Sequence, residues 1–256
     1  MSLKIALIQA DICWKNASLN RKRLSESLSA VEADLIVLPE TFTTGFAPSP
    51  SVGEAETMDG ETVEWMRRTA FRTGAALAGS LPLSEGGVVY NRFLFVTPEG
   101  GLYAYDKRHL FRMGGERGAC RPGERRVIVE YRGWRIFLSI CYDLRFPVWC
   151  RNRGDYDLML CCASWPASRR EVWNLLLRAR AVENLCYVAG VNRVGSDPFV
   201  PRYAGDSTVV DFRGGTLARA PEDKEAVVTT VLEREPLLRF REKFPAHLDA
   251  DDFRLE

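Results

Sequence analysis

Short runs of nearly continuous apolar residues alternate along the chain with stretches whose apolar positions recur every three or four residues. Residues 4–10, 34–40, 75–81, 88–96, 102–106, 126–131, 134–140, 157–162, 186–191, 208–212 and 226–231 read as strands, being rich in residues that favour an extended pleated backbone. The runs at 34–40 and 157–162 are apolar almost throughout, the pattern of strands in a sheet covered on both faces. Helical spacing appears at 18–30 (Leu24, Leu28 and Val31, with Asn16 or Ser18 as cap) and at 61–72 (Val63, Met66 and Ala70). It appears again at 168–184, with Ser168 as cap and Val172, Leu175, Leu176 and Ala179 facing inward. Turns are expected at Pro98-Glu99-Gly100-Gly101, Arg132-Gly133 and Arg213-Gly214-Gly215, and loops over 41–56 and 111–123. Residues 236–256 are charged and aromatic without a period, which reads as a docked or partly disordered tail. No internal repeat or linker interrupts the pattern, so one α/β domain over 1–256 is expected, with helices outside and sheets inside.

Composition narrows the picture in three ways. Lys+Arg 35 against Asp+Glu 34 leaves a net charge of +1, so nothing points to a nucleic-acid partner. No apolar run approaches a membrane span, and the first residues enter a strand pattern without a signal-peptide layout. Seven cysteines at irregular spacings fit free thiols in a reducing cytoplasm. With only His109 and His247 and no C-x-x-C pair, a structural zinc site is not expected, and a Cys–His or Ser–His catalytic pair has few bases to draw on.

Three polar residues share one placement: Glu40, Lys107 and Cys141 each stand just beyond a predicted strand, where open α/β sheets put their sites. Singly, each has a dull account as a loop cap, a solvated turn lysine or a core thiol. Together they make an acyl-transfer set. A carboxylate can take the proton of a thiol, and a fixed ammonium stabilises both thiolate and oxyanion. Pro147 suits the first turn of a helix after Cys141, so the thiol would sit at a strand-to-helix elbow.

Leu38-Pro39-Glu40, Asp106-Lys107-Arg108-His109-Leu110-Phe111 and Ser139-Ile140-Cys141-Tyr142-Asp143-Leu144-Arg145-Phe146-Pro147 resemble, in order, the three signature segments of the nitrilase superfamily of carbon-nitrogen hydrolases. Further matches are Ser164-Trp165-Pro166, Arg178 to Asn184, Val191-Asn192-Arg193 and Gly205-Asp206-Ser207. The resemblance implies a four-layer α-β-β-α sandwich. It implies Glu40 as general base and acid, Lys107 as oxyanion cation, Cys141 as nucleophile and the Tyr142 N–H as second oxyanion donor. It also implies a second glutamate before a Pro-Gly pair; Glu116 precedes Pro122-Gly123 and is preferred to Glu124, which follows it.

The segments 106–116 and 240–245 resemble the bacterial omega-amidase branch. That implies hydrolysis of the terminal amide of a small dicarboxylate monoamide, such as 2-oxoglutaramate or 2-oxosuccinamate, through a cysteine thioester and without cofactor or metal. Alternatives are the same machinery on an N-carbamoyl amino acid, a linear amide or a nitrile, a catalytically silent binding or scaffold protein, and a redox cysteine. The substrate carboxylate calls for a further cation. Arg145 is the first candidate, its other reading being an ion pair with Asp143 or Glu183. Phe42, Phe46 and Trp165 are candidates for the pocket wall. Pairing into a homodimer or higher homo-oligomer, through the 168–184 helix and the C-terminal tail, is also implied.

Overall fold

The structure, a computed structural model, describes residues 1–47 and 54–251. Positions 48–53 of the expected 41–56 loop and 252–256 of the C-terminal stretch lie outside the described residues. The first half runs β1 (Ser2–Gln9), α1 (Ala17–Leu28), β2 (Leu35–Val37), α2 (Glu61–Thr73), β3 (Ala76–Glu85), β4 (Val88–Val96) and β5 (Leu102–Asp106). A short α3 (Glu116–Ala119) leads to β6 (Ile128–Tyr131), β7 (Trp134–Ile140), α4 (Pro147–Cys150), β8 (Leu158–Ala163), α5 (Arg170–Asn184) and β9 (Tyr187–Asn192). The chain ends with β10 (Val194–Gly195), β11 (Tyr203–Ala204), β12 (Thr208–Val210), β13 (Thr216–Arg219), β14 (Ala226–Glu233) and α6 (Arg234–Lys243).

Two mixed six-stranded sheets result, ordered β14-β1-β2-β3-β4-β5 and β13-β12-β9-β8-β7-β6. Their two-residue side-chain period explains the layering. Leu3, Ile5, Leu7, Leu35, Val37, Phe93 and Phe95 point into a core shared with Ile136, Leu138 and Leu160 of the second sheet. Their neighbours Ala6, Ile8, Ile36, Leu77, Leu94 and Val96 point the other way, onto Leu24 and Leu28 of α1 and Val63, Met66 and Ala70 of α2. On the far side, α5 covers the second sheet with Trp173 and Leu177, close enough that a Cβ on Gly190 would meet Leu177 at 2.6 Å. The layers are therefore α-β-β-α.

Several expectations shift. Ser168 does not cap the long helix: α5 begins after a turn at Ala167–Arg169, and no side chain caps it. Its buried face is Trp173, Leu177, Arg180, Ala181 and Asn184, while Leu175 is 67% exposed. Three consecutive leucines fit any helical phase, and the large Trp173 side chain chose a different one. The 111–123 loop contains α3, the tail contains α6, β10 and β11 are too short to carry a pattern, and β13 is mostly exposed and lacks an apolar run. Helix α6 is held by Leu237, which is fully buried, and by Arg241, which donates to buried Asp157 together with Arg135 and Arg234. At Arg132 and Gly133 φ is positive at both residues, as a two-residue hairpin between right-twisted strands requires.

Candidate active site

Strands β2 and β3 are parallel, and β4 reverses direction twice over, so β2 and β5 run the same way and end at one edge of the first sheet. Glu40 follows β2 and Lys107 follows β5; Cys141 follows β7 in the facing sheet and Ser164 follows β8. All four line one cavity of about 470 Å³. The backbone bends sharply at two of these exits: Thr41 and Cys141 both have positive φ, +47° and +43°. That conformation is disfavoured for side chains with a Cβ and marks a backbone held by its surroundings.

At the floor, Lys107 Nζ donates to Glu40 Oε1 at 2.8 Å and to Glu116 Oε2 at 2.9 Å. Asn91 Nδ2 donates to both carboxylates, at 2.9 and 3.1 Å. The Ser164 N–H fixes Glu40 Oε2 at 2.8 Å, and the Phe111 N–H fixes Glu116 Oε2 at 2.7 Å. The three charged side chains are almost wholly sealed from solvent. Burial alone would drag the Lys107 ammonium down, but the charges of Glu116 and Glu40 outweigh it and hold the group well above the usual lysine range. The Cys141 thiol is pushed well up, first by burial and then by the Glu40 charge, with Lys107 pulling the other way. Glu124, the competing glutamate, is exposed and outside the cavity. Gly123 is required where it stands, since a Cβ there would lie 2.1 Å from the Asp106 carbonyl oxygen.

Beneath the elbow, Asp143 is fully buried and accepts from four donors: Tyr105 OH at 2.7 Å, the His109 N–H at 2.9 Å, His109 Nδ1 at 2.8 Å and the Ile140 N–H at 3.0 Å. It thus ties the segment carrying Lys107 to the segment carrying Cys141. Because Asp143 is engaged this way and Glu183 is bound by Arg180, neither takes Arg145 as an ion-pair partner. Arg145 instead lies over the Trp165 ring at 4.9 Å, facing the cavity. Trp165 and Phe46 line the wall, but Phe42 does not. Phe42 is fully buried against Trp65 and Gly79, because the turn at Thr41 directs it into the core under α2.

Some members of the site carried weaker signals. Asn91 is a polar residue inside the apolar run of β4, a break that marks it in retrospect. Arg169, over Phe111 at 5.4 Å, and the rim residues Phe199 and Tyr203 come from segments without a motif, while Phe111 closes the segment that carries Lys107. Arg193 is fully buried and donates to Asp11, Ile12 O and Ser196 O, fastening the loop that carries Phe199 and Val200. Among the described residues no cluster of His, Cys, Asp and Glu could hold a metal ion, and no helix is long and apolar enough to cross a membrane.

Comparison with known proteins agrees with this architecture. Residues 4–241 match the carbon-nitrogen hydrolase family. The chain is 45% identical to the omega-amidase YafV of Yersinia enterocolitica, over 99% of both chains. It is 32% identical to a 2-oxoglutaramate amidase of Bacillus subtilis, over 97% of this chain and 98% of that one. The crystal structure of XC1258 from Xanthomonas campestris, a CN-hydrolase superfamily protein with an arsenic adduct in its active site, superposes with a TM-score of 0.97 at 47% identity, covering all of both chains. Sequence, sheet order and full-length likeness thus converge, and the chain belongs to the carbon-nitrogen hydrolase family of the nitrilase superfamily.

Proposed function

We propose that this protein is a thiol-dependent omega-amidase, hydrolysing the terminal amide of a small dicarboxylate monoamide such as 2-oxoglutaramate or 2-oxosuccinamate to the acid and ammonia. The observation that carries the reading is the buried Glu40–Lys107–Glu116 cluster, which opens with Cys141 into a cavity walled by Arg145, a cation without a carboxylate partner among the described residues. The relatives named as an omega-amidase and a 2-oxoglutaramate amidase support the substrate class.

Cys141 Sγ attacks the amide carbonyl as its proton passes to Glu40, which suits a thiol that burial keeps protonated at rest. The oxyanion is stabilised by Lys107 and by the Tyr142 N–H. Glu40 hands the proton to the amide nitrogen, ammonia leaves and a thioester remains. Glu40 next takes a proton from water, hydroxide adds to the thioester, and collapse of the second tetrahedral intermediate expels the sulfur, which regains its proton from Glu40. Glu116 keeps Lys107 aimed and charged. Arg145 grips the substrate carboxylate, and Trp165 supports its guanidinium.

The chain acts as one domain, with the described part of its C-terminal stretch docked through α6. Homodimers or higher homo-oligomers form through outer helices, a role that the exposed Leu175 and Val182 of α5 support. Seven free cysteines fit a cytoplasmic setting. Ammonia release from 2-oxoglutaramate, without carbon dioxide, is the test against an N-carbamoyl substrate. Folded Cys141→Ala protein that still releases ammonia at the parent rate would rule out the thioester route.

A further inference from the structure

The cavity holds a second guanidinium besides Arg145. Arg169 lines the same wall, lies over the Phe111 ring at 5.4 Å and has no carboxylate partner among the described residues. One indole organises both arginines: the Trp165 ring lies under Arg145, and Trp165 Nε1 donates to the Arg169 carbonyl oxygen at 2.8 Å. Several other buried or half-buried arginines meet carboxylates, as Arg92 does with Asp106 and Arg170 with Asp206, whereas Arg108 and Arg151 are held by the carbonyl oxygens of Gly123 and Glu183. Among the described residues, the charged side chains lining the cavity or closing its floor are three cations, Lys107, Arg145 and Arg169, against Glu40 and Glu116. These residues leave one positive charge in excess, which a monoanionic ligand would balance.

We propose that Arg169 is a specificity-determining residue: with Arg145 it forms a two-guanidinium clamp that reads the 2-oxo-acid end of the substrate and rejects the 2-amino-acid analogue. This rests on the amidase reading above. A 2-oxo acid presents a carboxylate and an adjacent carbonyl, acceptors only, to two forks that are donors only. Glutamine and asparagine carry the same terminal amide, but an ammonium replaces the carbonyl. It would bring a positive charge and three further donors against two cations, leaving donors on both sides unpaired. Aromatic stacking leaves the guanidinium edges open to a ligand while fixing their planes.

The test compares wild type with Arg169→Gln and Arg169→Lys on 2-oxoglutaramate, L-glutamine and the neutral amide propionamide. Arg169 is half-buried and its link to Trp165 is through its backbone, so both variants should fold. Loss of a charge-assisted hydrogen bond should raise KM for 2-oxoglutaramate by about 10- to 100-fold in Arg169→Gln. Its kcat should stay close to wild type, its propionamide turnover should be unchanged, and its preference over glutamine should shrink. Arg169→Lys, which keeps the charge without the fork, should fall between. If Arg169→Gln keeps both its KM and its discrimination against glutamine, the clamp is overturned while the amidase stands. If wild type handles propionamide as well as 2-oxoglutaramate, the substrate class and the clamp fall together.

Discussion

At the cavity floor Lys107 is sealed between Glu40 and Glu116, whereas on the wall Arg145 and Arg169 lie half-buried on Trp165 and Phe111 and meet no carboxylate among the described residues. The two regions place cations in one cavity to different ends. A fully desolvated ammonium needs compensation from the protein to stay charged, and two carboxylates give it that along with a fixed position. Such a group is suited to charge that appears only during the reaction. An uncompensated guanidinium kept partly wet costs little by itself and waits for an anion from outside. The floor is built for turnover and the wall for recognition.

The comparison breaks hardest at Lys107. Lys107→Met leaves two buried carboxylates facing each other, so stability should drop by about 3–5 kcal/mol in chemical denaturation. Ammonia release should fall by at least about 10²–10³-fold, as for loss of an oxyanion donor. A variant with normal stability and turnover would mean that the floor is not the reaction centre. Glu116→Gln keeps the shape and removes one charge; kcat should fall by about 10- to 100-fold with KM little changed. A change confined to KM would move Glu116 to the recognition side of the comparison.

The buried thiols make a pH prediction about the fold. Cys141, Cys161 and Cys162 are pushed well above the ordinary thiol value of about 9, and Cys150 up to about 12, chiefly by burial. Above pH about 9 the unfolded chain loses these protons while the folded chain keeps them, so unfolding is favoured as pH rises. The urea midpoint should therefore be insensitive to these groups below about pH 9 and fall steadily above it. A midpoint that rises between pH 9 and 11 would contradict the assignment. The smallest effect is expected at Arg193→Lys, which keeps the charge but loses part of the fastening to Ile12 and Ser196. It should raise KM a few-fold, about 1 kcal/mol or less, by loosening the loop of Phe199 and Val200, with kcat retained.

Much of this was legible in the chain. The continuous apolar runs of β2 and β8 announced strands covered on both faces, and the bounds of β4, β5 and β7 match the reading to the residue. Glu40, Lys107 and Cys141 could be picked out because strand ends are marked by local pattern, and motif order tied them together. The phase of α5 was not legible, because local periodicity offered two solutions and only packing against β9 distinguished them.

By itself, then, the sequence determined which segments are strands, which polar residues stand at their ends and to which family the chain is similar, since all three are encoded in neighbouring residues. Only the tertiary structure decided what those residues meet. Glu40 and Lys107 are 67 positions apart, and Glu40 and Ser164 are 124 apart. Phe42 and Phe46 looked interchangeable as wall residues until the turn at Thr41 sent one into the core and left the other over Lys107. Arg169 stood in no motif, and its lack of a carboxylate among the described residues became visible only when Trp165 and Phe111 were seen beside it. Periodicity reports how a segment folds on itself, whereas ion pairing and cavity lining depend on what distant segments bring within a few ångströms.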